Sequence, residues 1–215
     1  MTVSTYAALA RRILARKPRL GGTRLVAVDG PSGAGKTEFA ARLAAAFPET
    51  APPVVHTDDF LDGWDDQFTF WSRLEEQVLA PLRSGEAGRH RRYDWAQGEF
   101  VGLWKTVPAA PVVILEGVTS ARAQARPWLT FSVFVVAPAR LRLARVLRRD
   151  GEPGRPYLIR WRRRENRHFA AEATAQHADL VVDGAPRVPH DPVSEFVRSG
   201  PVVPAARPGS GYPQA

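Results

Sequence analysis

Apolar residues fall into five short runs: Leu25 to Val28, Val54-Val55, Val112 to Leu115, Phe131 to Val136 and Leu180 to Val182. Each is apolar on consecutive rather than alternate positions, which predicts strands buried on both faces. Their alternation with stretches of helical spacing predicts a parallel sheet. With Ser4 as N-cap, a first helix places Tyr6, Leu9, Ile13 and Leu14 on one face and ends before Pro18 and Gly21-Gly22. Lys36 to Phe47 repeats the pattern with Phe39, Ala40, Leu43 and Ala44, and Phe70 to Leu82 with Leu74, Val78 and Leu82. Arg140 to Arg149 is a basic helix carrying Leu141, Leu143, Ala144 and Leu147, and another helix is predicted over about Leu158 to Ala175. The expected architecture is α/β, with three layers around a mostly parallel five-stranded sheet. Prolines recur from Pro186 onward, so residues 1–199 read as one domain and 200–215 as a disordered Pro/Gly-rich tail.

Composition narrows the classes only slightly. With 44% apolar and 24% charged residues the chain is ordinary globular material. No run approaches the ~20 apolar residues needed to cross a bilayer, and Arg11, Arg12, Arg16 and Lys17 interrupt the N-terminal region. A cytoplasmic protein without a membrane partner is expected. The absence of cysteine excludes disulfides, thiolate catalysis and Cys-ligated zinc. The net charge of +8 admits nucleic acid or a phosphorylated ligand as partner. Only Lys17, Lys36 and Lys105 are lysines, so 27 of the 30 basic residues are arginine, and part of the excess reflects compositional bias. No nucleic-acid recognition module stands out, and the oligomeric state, homo-oligomers included, stays open.

Four segments carry chemistry. Gly30-Pro31-Ser32-Gly33-Ala34-Gly35-Lys36-Thr37 completes the pattern Gly-x-x-x-x-Gly-Lys-[Ser/Thr] between a predicted strand and a predicted helix, the context a phosphate-binding loop requires. Its glycines let backbone N–H groups wrap around phosphates, Lys36 reaches the β and γ oxygens, and the Thr37 hydroxyl suits Mg²⁺. At the end of the second strand, His56-Thr57-Asp58-Asp59 puts paired carboxylates at the sheet's C-terminal edge, where one can accept a proton from a hydroxyl. Val112 to Leu115 ends in Glu116, a carboxylate placed to hold Mg²⁺ directly or through water. Eleven arginines lie between Arg140 and Arg167 around a turn at Asp150 to Gly154, a layout that suits a lid over about 145–165. The expected ligands are ATP and Mg²⁺. No Asn-Lys-x-Asp guanine-specificity segment is present.

Together these segments resemble the uridine kinase and phosphoribulokinase group of P-loop kinases over about Leu25 to Asp183. Thr57 to Leu61 is similar to that group's Asp-x-Phe-[Tyr/Leu] segment, which assigns the catalytic base to Asp58 and leaves Asp59 to the acceptor. Arg92-Tyr93-Asp94-Trp95 is similar to the segment lining the acceptor pocket; with Trp64, Tyr93 and Asp94 would shape it within an insert over about 60–107. Leu115-Glu116-Gly117 looks like the Glu-Gly after the third strand. Arg145 to Asp150, followed by Gly154-Arg155, resembles the lid, implying nucleotide contacts from Arg145 and Arg155 and charge stabilisation by Arg149. Two stretches depart from the pattern: residues 63–70 read Gly-Trp-Asp-Asp-Gln-Phe-Thr-Phe, and the Arg-Gly order of the lid is inverted at Gly154-Arg155. The resemblance implies ATP-dependent phosphoryl transfer to a nucleoside-like small molecule. Nucleoside monophosphates, pantothenate-like acceptors and an ATP-binding regulatory or nucleic-acid-associated protein are the alternatives. The insert is expected to be helical, with Trp71 and Trp104 in its core.

Overall fold

The computed structural model describes residues 2–152 and 155–200. The predicted disordered tail falls almost wholly at 201–215, outside the described residues, as do Pro153 and Gly154 of the predicted lid turn. The chain opens with β1 (Thr2–Thr5), α1 (Tyr6–Leu14), β2 (Arg24–Asp29), α2 (Lys36–Ala45) and β3 (Val54–His56). Next come α3 (Trp71–Leu74) and α4 (Ala80–Arg83), made continuous by a π-helical turn at Glu75–Leu79, and then β4 (Gly88–Asp94) and β5 (Glu99–Val107). The remainder is β6 (Val112–Glu116), β7 (Leu129–Val136), α5 (Ala139–Asp150), α6 (Arg155–Glu172), α7 (Thr174–His177), β8 (Leu180–Asp183) and β9 (Glu195–Arg198).

The five predicted strands form the parallel part of one sheet, in the order β8-β7-β2-β6-β3. The sheet is larger than expected, with seven strands: β9 adds to β8 antiparallel, and β1 adds to β9 antiparallel. Both additions escape a hydrophobicity reading. β1 is Thr-Val-Ser-Thr, and β9 offers only Phe196 and Val197 within a proline-rich stretch. Ser4 therefore belongs to a strand, and Thr5 caps α1, its hydroxyl accepting from the Ala8 N–H at 3.2 Å.

Alternation along β2 divides the core. Val26 and Val28 pack with Tyr6, Leu9, Ile13, Phe39 and Leu43 on the side of α1 and α2. Leu25 and Ala27 pack on the opposite side with Phe60, Leu74, Val78 and Leu82. The helix predicted over Phe70 to Leu82 is thus confirmed as the other outer layer, with a π turn inside it. The rest of the insert is not helical: β4 and β5 make a separate antiparallel hairpin, and Trp104 on it is half-exposed, whereas Trp71 is buried as expected. On α5 the expected leucine stripe is overturned, because Arg142 and Val146 are the buried residues and Leu141 is exposed. The helix predicted to run to Ala175 breaks at Ala173, which adopts a left-handed φ of 49°. No helix among the described residues is long and apolar enough to cross a membrane.

The chain leaves β2 through Gly30, whose φ is 140° and whose missing Cβ would collide with the Val135 carbonyl of β7. Gly30→Ala should therefore cost about 2 kcal/mol or more. Urea unfolding of the purified variant checks this; a midpoint equal to wild type would mean that the turn relaxes without penalty.

Candidate active site

Parallel pairing brings the ends of β2, β3 and β6 to one edge, where the strand order reverses and a crevice opens. The phosphate-loop residues follow β2 directly. Gly33 and Gly35 have φ of 77° and 104°, and Lys36 begins α2, so the loop and the helix N-terminus present N–H groups together. Lys36 is buried, with Nζ 3.4 Å from the Pro31 carbonyl, and Ala34 donates to that same carbonyl at 3.1 Å. Neighbouring backbone fixes the loop from outside: Gly33 lies against the Arg142 carbonyl, and Ala34 lies against Gly184. Arg145 donates to the Gly33 carbonyl at 3.2 Å and to Gly184 at 3.0 Å.

Sequence reasoning missed Asp29, the last residue of β2. Its carboxyl is fully buried and accepts from the N–H groups of Gly30 (2.7 Å), Thr119 (3.0 Å) and Ala121 (2.9 Å). Burial pushes its pKa up to about 7, against the pull of those donors and of Lys36. It ties the start of the phosphate loop to the segment after β6.

Glu116 is the meeting point of the remaining groups. The β3–β6 register sets His56 beside it, and Gly117 turns away at a φ of 139° where a Cβ would strike the Thr57 side chain. The Thr37 hydroxyl donates to Glu116 Oε1 at 3.2 Å, and His56 Nδ1 lies 2.6 Å from Oε2. A hydroxyl and a carboxylate at this spacing suit a hard cation that keeps its other positions for phosphate and water. No group of three or more His, Asp or Glu fit to hold a metal occurs among the described residues. His56, to which the sequence assigned no role, has a raised pKa, because its hydrogen bond to Glu116 outweighs desolvation.

Asp58 and Asp59 sit on the 3₁₀ turn after β3, Thr57–Phe60. Asp58 opens onto the crevice but is enclosed by protein on its other sides; desolvation first, then Glu116, raises its pKa, while Lys36, Arg149 and His56 oppose the rise. Asp59 points to the hairpin, where Lys105 Nζ donates to it at 3.0 Å.

Lys36, Thr37, His56, Asp58, Asp59 and Glu116 line one cavity of about 1190 Å³, space for two small ligands side by side. One end is bounded by the loop after β8 and by Arg145. The other is aromatic: Trp64 stacks on Tyr157 at 5.7 Å and meets Trp95 and Trp161 edge-on, and Tyr93 meets Trp95 edge-on at 5.2 Å. Tyr93, Asp94 and Trp64 thus lie together, with one Asp94 oxygen taken by the N–H groups of Ala96 and Gln97. Arg149 reaches the cavity while paired to Asp150 at 2.6 Å. Arg155 is not brought to the site; it is exposed and paired to Glu152 at 2.7 Å.

A family profile described as "Phosphoribulokinase / Uridine kinase family" matches residues 64–187, which include Glu116, Tyr93 and the arginines of α5. In three dimensions the chain is similar to a "possible uridine kinase" from Bacillus stearothermophilus, with a TM-score of 0.61 and 22% identity over 82% of this chain and 96% of that one. That identity speaks for the fold alone. Two curated sequences from Arabidopsis thaliana are also similar over 139 residues, 60% of this chain. Inorganic pyrophosphatase TTM1 is 31% identical with 21% of its length covered, and inorganic pyrophosphatase TTM2 is 32% identical with 20% covered. The chain spans about a fifth of the length of these relatives.

The His56–Glu116 pair predicts a pH dependence. A histidine whose folded pKa is raised contributes stability that is complete below its unfolded value of about 6.5 and is lost as pH rises through the folded value. The stability advantage of wild type over His56→Ala in metal-free buffer should therefore shrink as the medium is made alkaline. Urea titrations at a series of pH values measure it, and a constant or growing difference would rule the pairing out.

Proposed function

Because the chain belongs to the phosphoribulokinase/uridine kinase family of P-loop phosphotransferases, which act on small molecules, we propose that it is an ATP- and Mg²⁺-dependent kinase. The acceptor we favour is the hydroxyl of a nucleoside such as uridine or cytidine. The observation that carries this reading is the convergence of Asp58, Lys36 and the Thr37–Glu116 pair on one cavity whose far end is aromatic.

In this reading Gly30 to Thr37 hold the triphosphate through backbone N–H groups, with Lys36 on the β and γ oxygens. Thr37 and Glu116 would hold Mg²⁺, which when bound neutralises phosphate charge. Trp64, Tyr93 and Asp94 orient the acceptor so that its hydroxyl meets the γ-phosphorus in line. Asp58 takes the hydroxyl proton as the new O–P bond forms. The bond from the γ-phosphorus to the β–γ bridging oxygen breaks, and ADP departs. Desolvation and Glu116 raise the Asp58 pKa, which makes it a stronger base than an ordinary aspartate, and Lys36 and Arg149 oppose the rise. Arg149 and Arg145 balance the charge of the transferring group, whereas Arg155 is held by Glu152. To hold the cation, Glu116 would give up its contact with His56. An ATP-consuming reaction also favours the cytoplasm as the place of work.

Among the arginines lining the cavity, Arg92 alone belongs to the insert between β3 and β6. That favours an uncharged acceptor over a nucleoside monophosphate, which guanidinium groups would grip in pairs.

An ADP-release assay over nucleosides, nucleoside monophosphates, pantothenate and sugar phosphates tests the reading. One acceptor should stimulate release strongly. Asp58→Asn should lower turnover by about 10²–10⁴-fold while leaving ATP affinity within a few-fold. Unchanged turnover would remove Asp58 from the role of base. Lys36→Ala should impair nucleotide binding and transfer together, and normal activity in that variant would sink the phosphate-loop assignment.

A further inference from the structure

Glu165 lies on α6 with no solvent exposure, on the same stripe as the buried Leu158 and Trp161. A leucine there would continue the packing at no electrostatic cost. Instead the position holds a carboxylate whose Oε1 accepts three hydrogen bonds: from the Ser32 N–H at 3.0 Å, from the Ser32 hydroxyl, and from Trp161 Nε1 at 2.8 Å. Its Oε2 is buried without a hydrogen-bond partner among the described residues. A buried, half-satisfied carboxylate is destabilising relative to an apolar side chain, which points to a task in the site rather than in the core.

The contacts identify that task. Ser32 stands at the middle of the phosphate loop, and Glu165 takes its N–H from behind. On the neighbouring residue α5 does the complementary thing, laying the Arg142 carbonyl against Gly33 and donating from Arg145 to the Gly33 carbonyl. Two helices that are distant in sequence from the loop thus grip adjacent residues of it. Trp161 extends the grip: its Nε1 is also 3.1 Å from the Ser32 hydroxyl, its ring meets Trp64 edge-on at 5.8 Å, and its carbonyl accepts from Gln67 Nε2 at 3.4 Å. One side chain therefore touches the phosphate loop and the aromatic pocket together.

We propose that Glu165 is a positioning residue of the phosphate loop: it anchors Ser32 so that the N–H groups of Gly33 to Thr37 stay directed at the nucleotide phosphates, and Trp161 links that anchor to the acceptor pocket. The inference rests on the nucleotide-binding reading above. It makes the loop's geometry depend on where α6 sits, so any movement of α6 is felt by both ligands.

The test is calorimetric titration of Mg-ADP and of the Mg complex of β,γ-imido-ATP into wild type, Glu165→Gln, Glu165→Ala and Lys36→Ala, with melting temperatures measured alongside. Gln keeps an acceptor oxygen for the Ser32 N–H and Trp161 and should bind within about threefold of wild type, whereas Ala should lose about tenfold or more, the loss of one charge-assisted hydrogen bond. A purely structural role would lower the melting temperature and leave the affinity of the folded fraction unchanged; that result overturns the proposal. If Ala fails to fold, Glu165→Asp, with its arm one methylene shorter, carries the same expectation and the same refutation. Lys36→Ala separates the two levels: nucleotide binding undiminished in that variant sinks the phosphate-loop reading itself, while loss there with wild-type affinity in folded Glu165→Ala sinks only the anchor. Nucleotide-induced change in tryptophan emission should fall in Trp161→Phe, and an unaltered change would sever the link to the acceptor pocket.

Discussion

Parallel pairing of β2, β6 and β3 is the constraint from which the site follows. Strands that run the same way finish on the same edge, so their last residues, Asp29, Glu116 and His56, become neighbours without any loop having to bring them together. Each is followed by a turn that the edge dictates. Gly30 and Gly117 leave at φ values near 140°, each in a place where a Cβ would strike a neighbour, and Thr57 starts the turn that carries Asp58. The glycine-rich loop, the Thr37–Glu116 pair and the turn that carries Asp58 are thus three consequences of one arrangement of backbone hydrogen bonds.

Such an edge gathers negative charge. Burial raises the pKa of Asp29 and of Asp58, Glu116 adds to the rise at Asp58, and Lys36 opposes it at both, with Arg149 and His56 joining it at Asp58. Both oxygens of Glu116 are already engaged, Oε2 by His56 and Oε1 by Thr37.

The sequence made the parallel strands, the phosphate loop, Asp58 and Glu116 legible because each is local: an apolar run, a fixed motif, an acid at a strand end. What it concealed was non-local. β1 and β9 are strands by virtue of their partner, since Thr-Val-Ser-Thr and Glu-Phe-Val-Arg hold too few apolar residues to announce themselves. Trp104 looked like core by bulk, yet cation–π contacts with Arg89 and Arg91 on the open hairpin accommodate it at the surface. Arg142 is buried where Leu141 was expected because the α5 backbone must press on Gly33. Glu165 did leave a trace, an acid seven residues after Leu158 and four after Trp161 on a single helical stripe; a charge in a buried stripe is a signal worth reading. Asp29 left a similar one, as the acid that ends a wholly apolar strand.

The pairing of β1 with β9 joins residues 2–5 to residues 195–198, almost the full length of the chain apart. β1 therefore has no partner in the sheet until β9 has been made. α1 and the five parallel strands can assemble as the polypeptide emerges, but the margin of the sheet beside β8 stays unzipped until β9 is in place. A ribosome that stalls short of β9 would release a chain holding the phosphate loop and Asp58, with one flank of its sheet open to other strands.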